Sequence, residues 1–177
     1  MTDLLMLRSS AVFSPDRRYR YRLDRDVQDG GVIAAFFGVN GSTAGEDEED
    51  QTTMKWRCFS LSNGSRRYIA ANPFAYCATD VRELAGAADP VGPDNAQHLA
   101  AIIAEADVLV PCWGDRFKVP RQLRVHFDRL TDQLFATGKP VLTFGLTKGG
   151  DPRHPLMLGY ETPLVPWQRG AEAGGGQ

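Results

Sequence analysis

One apolar run, Val32 to Val39, contains a single small break at Gly38 and stops abruptly at Asn40. A run of this kind reads as a strand buried on both faces, which requires a sheet covered by helices on each side. The polar residue that ends it then marks the carboxyl edge of that sheet. In open α/β sheets, ligands bind in the crevice outside the carboxyl ends of the strands. A loop of small residues follows, Gly41-Ser42-Thr43-Ala44-Gly45, and then five acids, Glu46-Asp47-Glu48-Glu49-Asp50. Gly41, Ala44 and Gly45 let a ligand come close to the backbone. The segment reads as a site loop rooted at Asn40.

The rest of the chain alternates strand-like and helix-like segments. Ala11 to Phe13, a Ser14-Pro15-Asp16 turn and the alternating Tyr19 to Leu23 predict an N-terminal β-hairpin. Thr52 to Leu61 predicts a helix with Trp56 and Phe59 on one face, ended by Asn63-Gly64. Tyr68 to Ala71 predicts a second short strand, stopped by Asn72-Pro73. Asp80 with Glu83 has the form of a capping box and predicts a helix opening near Thr79. Asp94 is placed to cap a helix running to Ala106. Asp107 to Cys112 predicts a third strand, closed by Trp113-Gly114. The stripe Leu123, Phe127, Leu130, Leu134 predicts a helix over 119–136. Val141 to Phe144 predicts a fourth strand, ended by Gly145. Such alternation implies a three-layer α/β/α domain over residues 1–167 with a mainly parallel central sheet. The proline-rich segment 146–167 reads as irregular surface structure, and 168–177 as a disordered tail.

Composition narrows the function classes. At 177 residues with 42% hydrophobic content, the chain is sized for one soluble domain. No apolar stretch is long enough for a membrane span, and the N-terminus lacks the basic and apolar regions of a signal peptide. Cys58, Cys77 and Cys112 are odd in number and widely spaced, which fits buried, reduced thiols in a cytoplasmic protein. The net charge of −2 does not advertise nucleic-acid binding. Yet Arg17, Arg18, Arg20 and Arg22 cluster, as do Arg116, Lys118, Arg121, Arg124 and Arg129. These form either a basic face or two solvated surfaces. There is no Cys-x-x-Cys pair, no Gly-x-Ser-x-Gly elbow and no Walker loop, which disfavours zinc enzymes, serine hydrolases and P-loop NTPases.

The motifs together carry a resemblance. Asn40-Gly41-Ser42-Thr43-Ala44 followed by acids, Asn72 to Asp80, Asp89-Pro90-Val91-Gly92-Pro93-Asp94-Asn95, Trp113-Gly114 and the long Gly145 to Leu156 motif closely resemble the domain of unknown function 1643 family of bacteria and phages. The likeness runs from about Phe13 to Trp167. Gly41 stands where that family usually has Pro, and Pro73 where it usually has Leu. A more distant resemblance is to the uracil-DNA glycosylase superfamily. Gly38-Val39-Asn40-Gly41-Ser42, Asn72, Trp113-Gly114 and His154-Pro155-Leu156 stand in the order of that superfamily's strand-end motifs. The likeness implies its three-layer fold and cleavage of an N-glycosidic bond in DNA, with no cofactor.

On that reading Asn40 and Asp50 would place and activate a water, and His154 would donate to the leaving base. Gly41, Ser42 and Asp47 would line the site. Asn72 would read the base edge, since an amide offers both a donor and an acceptor. Phe74, Tyr76 and Trp113 would surround the base, and Lys148 and Arg153 would hold phosphate oxygens. His98 and His126 read as surface or packing residues. The expected protein is a monomeric DNA glycosylase acting on a flipped, modified base, with a phage base as substrate and antiviral defence as role. Two alternatives remain. One is a Mg²⁺-dependent phosphohydrolase or nucleotide-modifying enzyme using Asp47 and Asp50. The other is a non-catalytic module that binds modified DNA or a nucleotide.

Overall fold

The structure, a computed structural model, describes residues 7–42, 45 and 49–169. β1 (Ser9–Phe13) and β2 (Arg20–Asp26) form the antiparallel hairpin read from the sequence. Its turn is closed by side chains: the Ser14 hydroxyl donates to Asp16, and Tyr19 N and Arg18 N donate back to these two oxygens. β3 (Val32–Phe37) is the apolar run, and β4 is the short Asn40–Gly41 segment. α1 (Gln51–Ser62) opens on a reciprocal cap, with Thr53 N donating to Asp50 Oδ1 and Asp50 N to Thr53 Oγ1, both at 2.8 Å. Then come β5 (Ser65–Ala71), β6 (Phe74–Cys77), α2 (Asn95–Glu105), β7 (Val108–Pro111), α3 (Val125–Ala136), β8 (Leu142–Thr143) and β9 (Val165–Pro166).

The main sheet has the order β1-β2-β5-β3-β7. β5 and β7 run parallel to β3 on either side of it, while β1–β2 and β2–β5 are antiparallel. The sheet is therefore mixed, and the expectation of a mainly parallel sheet is corrected. The reason is the short Val27–Gly31 connection: a parallel crossover needs a dozen or more residues, so β2 must run against β3 and hence against β5 between them. Val141 adds a parallel bridge to Leu109 beyond β7.

Alternation along β3 divides the core. Ile33, Ala35 and Phe37 pack with Leu99 and Ile102 of α2 and with Phe127 and Leu134 of α3. Ala34 and Phe36 pack with Trp56 and Phe59 of α1 and with Phe144 and Leu158. Helices thus cover both faces, and the strand ends are left open at the edges.

Several expected elements differ in form. The Asp80–Glu83 capping box forms, but it opens a 3₁₀ turn over Val81–Gly86, because Gly86 and the Asp89-Pro90 loop stop it before an α-helix can propagate. α3 starts at Val125, not near Val119. Pro120 keeps Val119 extended, and a 3₁₀ turn over Arg121–Leu123 intervenes. Asp94 makes no side-chain cap; Asn95 N donates instead to Gly92 O. The segment expected to be irregular contains a 3₁₀ turn, Pro155–Met157, and β9, which pairs with β8. Residues 170–177 of the expected tail lie outside the described residues. No helix among the described residues is long and apolar enough to cross a membrane.

Asn95 is completely buried, and its Nδ2 donates to Asn72 O at 2.9 Å and Pro73 O at 3.1 Å. Asn95→Ala leaves these two carbonyls unpaired in the interior, so it should lower stability by about 2–3 kcal/mol in urea unfolding. A loss below about 0.5 kcal/mol, the range of inert surface changes, would contradict this bracing role.

Candidate functional site at the strand edge

β5, β3 and β7 end level with one another, Phe37 being paired with both Ala71 and Pro111. The residues immediately beyond them, Gly38 to Asn40, Asn72 and Trp113, form one wall of a cavity of about 810 Å³. The opening of α1 supplies a second wall with Asp50, Thr53 and Trp56, and the loops after β7 and β8 supply Lys118 and His154. The crevice lies where the strand ends placed it, at the carboxyl edge of the parallel strands.

Its floor is held by amide groups. Asn72 is 3% exposed, and its amide faces the carbonyls of Ala71 and Asn40; assigned from these neighbours so that the nitrogen points at them, it donates at 3.1 Å and 3.2 Å. Asn40 Nδ2 donates to Gly41 O and Ala78 O, each at 2.8 Å. Among the described residues no donor reaches Asn40 Oδ1. Asn40 therefore offers the cavity an acceptor, suited to a water or a ligand N–H, and its donor end is structural. Gly38 is required here, since a Cβ would stand 2.9 Å from the Asn72 amide and 3.7 Å from the Trp56 ring.

His154 comes from the opposite side. Gly114, at φ +76°, leaves just enough room: a Cβ there would lie 3.3 Å from His154 Cβ. His154 Nδ1 accepts from Leu156 N at 3.2 Å, so the neutral ring carries its proton on Nε2. Burial, followed by the nearby Lys118 ammonium, pushes its pKa down from 6.5 to about 4, against an opposing pull from Asp50. At neutral pH His154 is an uncharged donor. Asp50 sits across from it on the cavity wall, with one carboxylate oxygen engaged by the α1 cap.

Of the expected site residues, Asn40, Ser42, Asp50, Asn72, Trp113 and His154 are gathered in this cavity. Others are not. Gly41 is buried away from the cavity, and a Cβ on it would lie 2.6 Å from Ala75 O; its smallness admits the β6 backbone, not a ligand. Phe74 is fully buried, packed edge-on against Phe127 at 5.7 Å, and Tyr76 packs on Tyr19 at 6.0 Å. Neither lines the cavity, because β6 starts directly after Pro73 and pairs with β4. Lys148 and Arg153 are exposed on the loop after β8 and also stand off the cavity lining. Asp47 lies outside the described residues. Among those described, no group of three or more His, Cys, Asp or Glu is placed to hold a metal ion.

The cations at the cavity are residues the motifs did not single out. Lys118 is one. Arg20 is the other, 3% exposed, with Nη1 donating to Ser42 Oγ at 3.0 Å. A basic residue in an otherwise buried strand was the available signal for Arg20. Within the wider arginine clusters, Arg22 pairs with Asp24 and Glu105 and Arg116 with Asp128 and Asp151, while Arg124 keeps its charge 4.7 Å from the Phe117 ring centre. His98 stacks on Tyr21 at 4.7 Å and His126 meets Phe74, the packing roles read from the sequence. All three cysteines are free thiols; Cys112 is buried as expected, whereas Cys58 and Cys77 are only half-buried.

The model of a family described as protein of unknown function (DUF1643) matches residues 20–156. The chain belongs to this family. The family match takes in every residue named above as lining the cavity, from Arg20 through His154. No curated protein and no solved structure matches the chain.

The electrostatics of the cavity are testable by NMR titration of the His154 ring. Its midpoint should lie near 4. Lys118→Gln should raise it, because a repelling charge is removed, and Asp50→Asn should lower it further while keeping a helix cap. The sign for stability follows from the same shift. Only the unfolded chain takes up this proton between pH 6.5 and about 4, so the His154 contribution is complete above 6.5 and falls as the pH drops through that window. A midpoint at 6.5 or above, insensitive to both substitutions, would contradict the arrangement.

Proposed function

We propose that this cavity hydrolyses the N-glycosidic bond of a modified base extruded from DNA. The observation that carries the reading is a neutral His154, donor at Nε2, sharing one cavity with the Asp50 carboxylate and the acceptor oxygen of Asn40. Bond cleavage of this kind builds positive charge on the sugar and negative charge on the departing base. A carboxylate stabilises the first and orients water towards it. An uncharged donor stabilises the second, an effect worth roughly 10²–10³ in rate for one well-placed group. Asn40 Oδ1 would hold the water, and the Asn72 amide would meet the base edge. The cavity volume, about 810 Å³, suits a nucleoside-sized group.

Support for a nucleic-acid substrate comes from Lys118, an exposed cation on the cavity lining, and from Leu156 on the same lining, which Met157, 91% exposed, follows. A cation of this kind can meet a phosphate, and apolar side chains can fill the gap left by an extruded base. The helices on both faces and the strand-end order of Asn40, Asn72, Trp113 and His154 support kinship with the uracil-DNA glycosylase superfamily and its three-layer arrangement. A monomeric cytoplasmic enzyme acting against phages with modified DNA is the biological role that fits this reading.

The test is mass spectrometry for free base after incubation with DNAs carrying different modified bases. Wild type should release base from at least one, with no loss of activity in chelator. Asp50→Ser retains a helix cap and removes the carboxylate; His154→Gln removes the ring. Each should cut turnover by about 10²-fold or more. Full activity in both variants would remove these groups from the chemistry. Binding without release would identify a recognition module, and release of phosphate or nucleotide, abolished by chelator, in place of free base would identify a metal-dependent phosphohydrolase.

A further inference from the structure

The motif Gly145 to Leu156 contains a buried carboxylate that the proposed chemistry does not use, that of Asp151, which is 2% exposed. Its surroundings form a tight β-turn-like loop: Arg153 N donates to Gly145 O at 3.0 Å, Thr147 N to Asp151 O at 2.8 Å, and Gly150 N to Thr147 O at 2.9 Å. Leu146 and Pro152 bridge antiparallel across it. Both carboxylate oxygens of Asp151 point out of this loop into the segment after β7. Arg116 N donates to Oδ2 at 3.0 Å, and Arg116 Nε donates to Oδ1 at 2.8 Å. Gly114 N closes the same seam by donating to Pro152 O at 2.7 Å. Arg116 is itself tethered to α3 through Asp128 at 2.8 Å.

This seam joins the two loops that carry the charged and titratable groups of the cavity. Lys118 ends the 3₁₀ turn that begins at Arg116, and His154 follows Asp151 by three residues. We infer that the Arg116–Asp151 pair is a positioning clamp that sets His154 against Lys118 in the cavity. A buried carboxylate satisfied by a backbone N–H and a guanidinium has one geometry, so it fixes the register of one loop on the other. Neither residue lines the cavity. The inference rests on the functional reading only for the role of His154; the clamp itself is a statement about where that ring is held.

The experiment therefore uses a readout that needs no substrate. The His154 ring is titrated by NMR in wild type, Asp151→Asn, Arg116→Gln and Asp128→Asn, with folding checked by circular dichroism. Loosening the clamp admits water to the ring and lets Lys118 move away, so the midpoint should rise from about 4 towards 6.5 in Asp151→Asn and Arg116→Gln. Asp128→Asn removes only the outer tether and should leave it in place. Where base release is measured, kcat should fall at least tenfold in the two clamp variants, with KM within about twofold. A purely structural pair would lower the unfolding midpoint and leave the titration unmoved. Should Asp151→Asn fail to fold, Arg116→Gln carries the test, its side chain being 28% exposed. An unchanged His154 midpoint in folded Arg116→Gln overturns the clamp, as does an equal shift in Asp128→Asn. Absence of base release from any DNA leaves the titration result standing and bears only on the functional proposal.

Discussion

Asparagine amides brace the carboxyl edge of the sheet. Parallel strands that end side by side leave carbonyl groups beyond the last ladder bond, and buried carbonyls without donors are costly. Asn95, from the start of α2, supplies donors to Asn72 O and Pro73 O. The Asn72 amide, oriented by its carbonyl neighbours, adds donors to Asn40 O and to Ala71 O, which also accepts from Gly38 N; the Asn40 amide adds donors to Ala78 O and to Gly41 O, which also accepts from Ala78 N. The series ties α2 to the end of β5, the end of β5 to β4, and β4 to the segment after β6. Asparagine suits the task because its short amide donates two bonds without carrying charge into the interior. The cavity floor is rigid as a result, which is what a site needs to hold a reacting group in place.

Above that floor the polar groups differ in how they are held. Asp50 is fixed by the α1 cap and Arg20 by Ser42, each through contacts close in space to its own strand or helix. His154 and Lys118 arrive on long connections and depend on contacts between loops. Burial and the Lys118 charge both oppose protonation of His154, so the ring is neutral over the physiological range, while Asp50 limits the shift. On the proposed reading, a neutral imidazole donor and the Asp50 carboxylate in one cavity would divide the work between them, as environments separate acid and base roles in other enzymes.

Local signals in the chain translate directly into structure. The apolar run of β3, the Ser14-Pro15-Asp16 turn, the Asp80–Glu83 box and the stops at Asn40, Asn72 and Trp113 each depend on neighbours in sequence. The carboxyl-edge location of the site follows from those stops. Non-local pairing was not legible. The antiparallel edge of the sheet depends on β5 inserting between β2 and β3, and the burial of Phe74 depends on β6 pairing with β4. Lys148 and Arg153 carry the charge expected of phosphate ligands, yet the loop fold turns Asp151 inward and leaves both cations on the surface. Within the arginine clusters, Arg22 and Arg116 are each paired with two acids, Asp24 and Glu105 for the first and Asp128 and Asp151 for the second, which the local charge pattern does not reveal.

The central claim is that a base-sized ligand enters at the strand edge, between the asparagine floor and His154. The most direct measurement is ¹⁵N NMR of the labelled protein titrated with free modified nucleobases. Binding at the strand edge predicts saturable shifts concentrated at Gly38 to Asn40, the Asn72 side-chain amide, the Trp113 indole and the His154 ring. Shifts confined to other surfaces, or none at millimolar base in a folded protein, would contradict it.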